Sequence, residues 1–456
     1  MLKNLRSVLS GDDIKLFEDT AVTELDAGRS DSAQEPIEKL TKFMPRNRDA
    51  ALALIRIVQR GGLRIEHGLD IFEKVFQVYR DDPEIAAKMG STTDSVRDLD
   101  ELNAAPSDSA LFEELADVLE KLAEKETGGR NQVVLLEALA TTTRMMGRQR
   151  DRVCERSYRR LVELDPGTSY QHYNLGLFFK TRGLFREGVQ ANQASARLRE
   201  EPSEACEWNL GICATGAREG AAALEVWQRM GQKIRMGRFG LPEGGYPQSK
   251  VKLAERPLAE RDADNDDPGL EETIWIERLS PCHGIVRSVL YQSLGVDYGD
   301  VVLFDGAPIT YHRYGDTKVP VFPHLATLIR SGYRLYDFAG TQDARGQLAN
   351  ASEALAEDAV IYTHTEQFVL LCNACWRAEG TDHAVHEDRD EHVVVGRNAA
   401  PPGIDPATLL RQLDSAMADR APCCVYAPTL CKAAGFADRA DMEQRRFDMI
   451  VSARKR

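Results

Sequence analysis

The chain has 456 residues, of which 43% are apolar and 29% charged, the balance of a globular protein and not of a disordered or fibrous one. Asp and Glu outnumber Lys and Arg by 72 to 58, a net charge of −14, which argues against a general binder of nucleic acid or anionic membranes because both need a basic surface. The length predicts two or three domains, no apolar run reaches the ~18 residues of a membrane helix, and nine cysteines without a secretory leader predict free thiols in a reducing cytoplasm.

Residues 1–130 read as helix after helix. Apolar side chains recur at three- and four-residue spacing over Ala50–Val58, Gly68–Tyr79 and Ala110–Ala123, with little alternation. The same spacing continues over Gln132–Met146 and Arg152–Leu164. A weak internal unit at 48–83, marked by Gly61, Gly68, Phe72, Val78 and Pro83, suggests degenerate repeats in this part.

Between 131 and 236 the repeat is explicit. Asn174-Leu175-Gly176 returns as Asn209-Leu210-Gly211, 35 residues later. Phe179, Gly183, Phe185, Gly188, Ser195 and Pro202 surround the first copy; Ala223, Trp227 and Met230 follow the second. Tyr158, Leu161, Leu164 and Pro166 have the spacing of the second helix of a preceding copy. The pattern resembles the tetratricopeptide repeat, whose 34-residue unit is a pair of antiparallel helices. Gly176 and Gly211 let a first helix approach its partner, Gly188 and Ala223 do so on the second, and Phe179, Tyr158 and Trp227 fill the space between units. Pro166 and Pro202 end second helices. Ser195 replaces the family's alanine, Ala214 its aromatic, and Thr141-Thr142 its Leu-Gly.

The resemblance implies a curved stack whose first helices line a groove for a peptide or protein. On it, Tyr170, Tyr173, Asn174, Leu177 and Lys180 are the exposed positions of one unit, and Trp208, Asn209 and Ile212 those of the next. The peptide-binding set is therefore Tyr170, Tyr173, Asn174, Lys180, Trp208 and Asn209. Asn174 and Asn209 suit paired amide bonds to a bound backbone, and equally suit bridging between adjacent helices.

Residues 237–270 read as a linker, since the stretch 231–270 holds six Gly and four Pro. Its acidic run, Asp262-Ala-Asp264-Asn-Asp266-Asp267, starts like a calcium loop. Asp267 takes the place of the turn glycine and Thr273 that of the bidentate glutamate, so a solvated acidic segment is the simpler reading.

From 271 to 456 the period shifts towards two. Thr273–Glu277, Val301–Phe304, Ile309–His312, Tyr333–Phe338, Ala359–Thr363, Phe368–Cys372 and His392–Val395 are predicted strands, with a hairpin turn at Asp305-Gly306. Seven of nine His and six of nine Cys lie in this part. Cys372, Cys375, His383 and His386 form C-x2-C-x7-H-x2-H, a donor set that suits a structural zinc. His392, the Cys282-His283 pair and Cys423, Cys424 and Cys431 are alternative ligands, and His312 and His324 read as core side chains. Cys282-His283-Gly284 and Cys375 also look faintly similar to the His-Gly and Cys positions of caspase- and CHAT-like peptidases. That likeness implies His283 as base and Cys375 as nucleophile. The pair stand far apart in sequence, and Trp376 is large for the position after the nucleophile. No phosphate-binding loop, dinucleotide fingerprint or serine-nucleophile elbow is present.

The sequence thus predicts a multidomain chain: an all-α, tetratricopeptide-like helical solenoid followed by an α+β domain with mainly antiparallel strands. The expected role is a protein-interaction scaffold. The alternative is a cysteine peptidase with a recruiting solenoid.

Overall fold

The first described helix starts at a cap that the sequence supplies. Ser10 accepts a hydrogen bond from the Asp13 backbone N–H, the Asp13 carboxylate accepts one from the Ser10 backbone N–H, and α1 (Gly11–Asp26) begins. The computed structural model describes residues 10–96, 109–314, 317–355, 358–364, 392–420 and 422–454. The chain divides into two units, residues 1–210 with 261–267, and residues 211–260 with 268–456.

The helices that follow are α2 (Ser30–Phe43), α3 (Arg48–Arg60), α4 (Ile65–Tyr79), α5 (Pro83–Gly90), α6 (Ser109–Lys125), α7 (Gly129–Arg144), α8 (Asp151–Leu164), α9 (Ser169–Thr181), α10 (Phe185–Arg197), α11 (Glu204–Gly216) and α12 (Gly220–Arg229). Asn47 and Asp82 cap α3 and α5 through their side-chain oxygens. Ion pairs and hydrogen bonds recur at the repeat interval. Arg60 pairs with Asp26, Arg48 with Asp82, and Gln171 donates to Glu137, each across 34 residues. The contacts therefore carry the repeat into the N-terminal part, where the sequence pattern is weakest.

Residues 129–229 form tetratricopeptide-like helical hairpins. α9 and α11 start 35 residues apart, as do α10 and α12. A Cβ on Gly176 would stand 2.5 Å from the Asn192 amide, and one on Gly211 2.5 Å from the Trp227 ring, so the repeated glycine is where two helices touch. Tyr158 and Phe178 are buried with ring centroids 6.1 Å apart, joining successive hairpins. Ser195 is fully buried, and its hydroxyl donates to the Ser169 carbonyl at 2.8 Å. The polar substitution in the motif is thereby satisfied. Thr142, also buried, donates to the Ala138 carbonyl at 2.9 Å and lies 3.3 Å from Thr93. No described helix is long and apolar enough to cross a membrane.

The second unit is built on strands: β1 (Ile234–Met236), β2 (Pro242–Gly244), β3 (Ser249–Ala254), β4 (Glu271–Arg278), β5 (His283–Val286), β6 (Val301–Phe304), β7 (Thr310–Tyr314), β8 (Thr317–Ile329), β9 (Arg334–Thr341), β10 (Val360–Thr363), β11 (Val393–Ala400) and β12 (Cys424–Tyr426). Strands β3, β4, β5, β6 and β8 pair in that order and antiparallel, and β8 returns to pair in parallel with β3, closing a five-stranded barrel. Val251, Leu253, Ile274, Ile276, Val302, Phe304 and Phe322 fill one of its cores.

Two expectations are corrected here. Asp305-Gly306 does not join a hairpin, because β6 and β7 both pair with β8. The Asp305 and Ile309 N–H groups still bond to the Pro323 and Val321 carbonyls, so residues 305–309 bulge out of one long strand. The segment 237–270, expected to link domains, contributes β2 and β3, and its residues 261–267 lie with the helical unit. Glycine and proline there mark turns between short strands.

A second sheet has the order β10-β11-β9-β12, antiparallel throughout. It packs with α13 (Gln347–Asn350), α14 (Pro406–Ala418), α15 (Pro428–Ala433) and α16 (Ala437–Arg454) around Phe338, Leu348, Ile361, Val394, Leu410, Leu413 and Leu430. The unit is α+β with mainly antiparallel strands.

Candidate functional site

The first helices of successive hairpins are neighbours, since Gln171 of α9 reaches Glu137 of α7. Along α9, Tyr170 is 53% exposed, and Tyr173, Asn174 and Leu177 are half-buried. The Arg199 guanidinium lies 6.0 Å from the Tyr173 ring centroid. The Asn174 side chain makes no hydrogen bond to any described residue. Beside this face, Arg199, Glu200, Ser203, Cys206 and Glu207 line a small cleft of about 130 Å³.

Three of the expected outward positions are corrected. Lys180 and Asn209 are each only 5% exposed, and Ile212 is buried. Trp208 is half-buried. The Asn209 Nδ2 is enclosed with no acceptor. Lys180 lies in the last turn of α9, and the repeat placed it on the open face; tertiary packing encloses it. Of the expected positions, Tyr170, Tyr173, Asn174, Leu177 and Trp208 keep exposed surface.

His283, the base of the alternative reading, is fully buried on β5. Ser280 Oγ lies 2.5 Å from its Nδ1. Burial pulls its pKa down to about 4, so the ring is neutral at pH 7, and burial raises the adjacent Cys282 thiol to about 12. Neither group reaches solvent, and thiolate chemistry needs an accessible, low-pKa sulfur. Cys375 lies outside the described residues, as do Cys372, His383 and His386.

Among the described alternative ligands, Cys423 donates to Gln347 Oε1 at 3.1 Å, Cys424 lies 3.0 Å from the Thr341 hydroxyl, and His392 Nδ1 is 3.1 Å from the Gln342 carbonyl. No three His, Cys, Asp or Glu side chains converge on a metal position among the described residues.

The acidic run is partly docked. Asp262 accepts from the N–H groups of Asp264 and Asn265 at 3.0 and 2.9 Å, a self-contained turn. Asp266 accepts from the Arg148 N–H at 2.9 Å and sits 3.7 Å from its guanidinium. Gly147, at φ +79°, leaves room for that carboxylate: a Cβ there would lie 2.3 Å from Asp266 Oδ2.

One cluster was not anticipated. Lys250 on β3 is buried, its Nζ 3.3 Å from His312 Nδ1 and hydrogen-bonded to the Tyr314 hydroxyl. The ammonium also lies 4.9 Å from the Trp275 ring centroid and 5.0 Å from that of Tyr314. The rings favour the cation, but burial outweighs them and lowers the amine to about 8. His312 falls to about 4, through burial first and the Lys250 charge second. The alternation Ser249-Lys-Val-Lys-Leu-Ala254, which sends Val251 and Leu253 inward and both lysines outward, was the available signal.

No protein-family profile matches the chain, and no curated protein does. Solved structures similar to it include PilW, described as a widely conserved type IV pilus biogenesis factor, at 14% identity and TM-score 0.36, over 48% of this chain and 93% of that one. MamA from Desulfovibrio magneticus RS-1 is similar at 14% identity and TM-score 0.29, over 48% and 94%. YrrB, described as a TPR protein with an unusual peptide-binding site, is similar at 16% identity and TM-score 0.27, over 42% and 91%. The helical hairpins are TPR-like on their own geometry.

Proposed function

We propose that this chain is an interaction scaffold that captures a peptide or protein segment along α9, with Tyr170 and Tyr173 as apolar contacts and Asn174 as the reader of the bound backbone. One observation carries the reading: Asn174 shares α9 with the exposed Tyr170 and the half-buried Tyr173, and its side-chain amide is unbonded to any described residue, whereas Gln171 and Thr181 of the same helix are hydrogen-bonded. Stacked hairpins of this type curve, and their first helices line the inner surface. The described cysteines are free thiols, in keeping with a reducing compartment such as the cytoplasm. The zinc proposed on Cys372, Cys375, His383 and His386 rests on their spacing and would serve the second unit as a structural ion.

The test is selection of displayed peptides on the full chain, followed by affinity measurement with Tyr170→Ala and Asn174→Ala. Each change is expected to weaken capture about tenfold or more, the share of a central contact, with unchanged helicity. Equal affinity in both variants removes α9 as the site.

A further inference from the structure

Lys250 and Lys252 leave β3 on the same face and meet different surroundings. Lys252 is paired with Glu271 at 2.8 Å, whereas Lys250 has no carboxylate partner among the described residues. Its Nζ is held by His312 Nδ1 and the Tyr314 hydroxyl, both able to receive or return a proton, and flanked by two aromatic rings. The amine is 8% exposed, yet Tyr314, which covers it, is 44% exposed and Trp275 is half-buried. A buried amine with no counter-ion among the described residues, against an imidazole nitrogen and beneath a solvent-facing ring, is an arrangement that favours a nucleophilic lysine.

We propose that Lys250 is a nucleophilic amine site that takes small carbonyl compounds, aldehydes foremost, as an imine. The Lys250 ammonium releases a proton to water, His312 Nδ1 accepting a hydrogen bond from the neutral amine, and the nitrogen lone pair then forms a bond to the carbonyl carbon. The carbonyl oxygen takes up that proton and a second one from the nitrogen, and leaves as water. Ammonium and aldehyde become a protonated imine and one water, with no change in oxidation state. Trp275 and Tyr314 favour the imine's positive charge as they favour the ammonium.

Full-length protein is treated at pH 7 with acetaldehyde and cyanoborohydride, which traps the imine as an N-ethyl amine, and the modified lysines are mapped by peptide mass. Lys250 is expected to react at least about tenfold faster than Lys252, because Lys252 is held in an ion pair with Glu271 and Lys250 is held by His312 and Tyr314. Its rate should rise with pH and level off near 8. The variant His312→Gln should slow Lys250 and leave Lys252 unchanged. Reaction of Lys250 at or below the rate of Lys252 in the unaltered protein overturns the proposal, whatever the variant does.

Discussion

The enclosed Arg148 and Arg182 of the helical unit and the enclosed Lys250 and His283 of the second meet opposite surroundings. In the helical unit the enclosed Arg148 and Arg182 meet carboxylates: Arg182 Nε lies 2.8 Å from Asp151, and Arg148 lies 3.7 Å from both Asp151 and Asp266. Arg182 also donates to the Arg144 and Gly147 carbonyls, so the corner between α7 and α8 is tied by one guanidinium. In the second unit Lys250 and His283 are equally enclosed and meet no carboxylate among the described residues. A low-dielectric interior tolerates an ionisable group in two ways, paired with its opposite or stripped of its charge. Arg148 and Arg182 are paired and Lys250 and His283 are neutralised, while the buried Asp300 and Glu443 of the second unit are paired with Arg330 and Arg439.

The largest effect expected from breaking this contrast is at Asp151. Asp151→Ala leaves two enclosed guanidinium groups short of a partner and should cost about 3 kcal/mol in urea unfolding, the low end for a buried pair because the carboxylate is partly exposed. Asp151→Asn should lose most of the same amount. If it loses nothing, shape and not charge holds the corner.

The second unit should respond to pH instead. His283 has a folded pKa near 4 against about 6.5 unfolded, so the unfolded chain binds the extra proton first. Its contribution is complete above pH 6.5, falls as pH drops from 6.5 to 4, and amounts to about 3 kcal/mol across that window. His283→Asn should flatten the stability–pH curve there. An unchanged slope would assign the dependence to His312 and His364, whose pKa values are lowered by burial as well.

The smallest effect separates the two copies of one motif. Gly211→Ala drives a methyl group against the rigid, fully buried Trp227 ring and should cost about 1–3 kcal/mol in thermal unfolding. Gly176→Ala meets the end of the Asn192 side chain, and the ~1 kcal/mol gain in helix propensity offsets more of its clash. Equal losses would show that the two hairpins pack alike despite different partners.

Much of the helical unit was legible because its signals are local. The Asn-Leu-Gly beat marked α9 and α11, and periodicity in side-chain size marked the hairpins. Exposure was less legible: Lys180 and Asn209 occupy repeat positions that face outward in an ideal unit, and their burial depends on neighbours distant in sequence. The barrel was legible strand by strand, from alternation over Thr273–Glu277 and the apolar run Val301–Phe304, but not as a barrel. Closure rests on the parallel pairing of β3 with β8, some seventy residues apart and without a local signature.

Taken by itself, the sequence determined where helices give way to strands, which glycines permit close helix contact, and that α9 carries aromatic and amide side chains suited to a peptide. Those properties follow from side-chain period and size, which act over a few residues. Only the tertiary structure decided that Asp266 returns to Arg148, that β3 completes a barrel, and that Lys250 meets His312 where a linker was expected. Each of these is a contact between distant segments, and its strength comes from desolvation and charge in a shared interior, which no single stretch of chain contains.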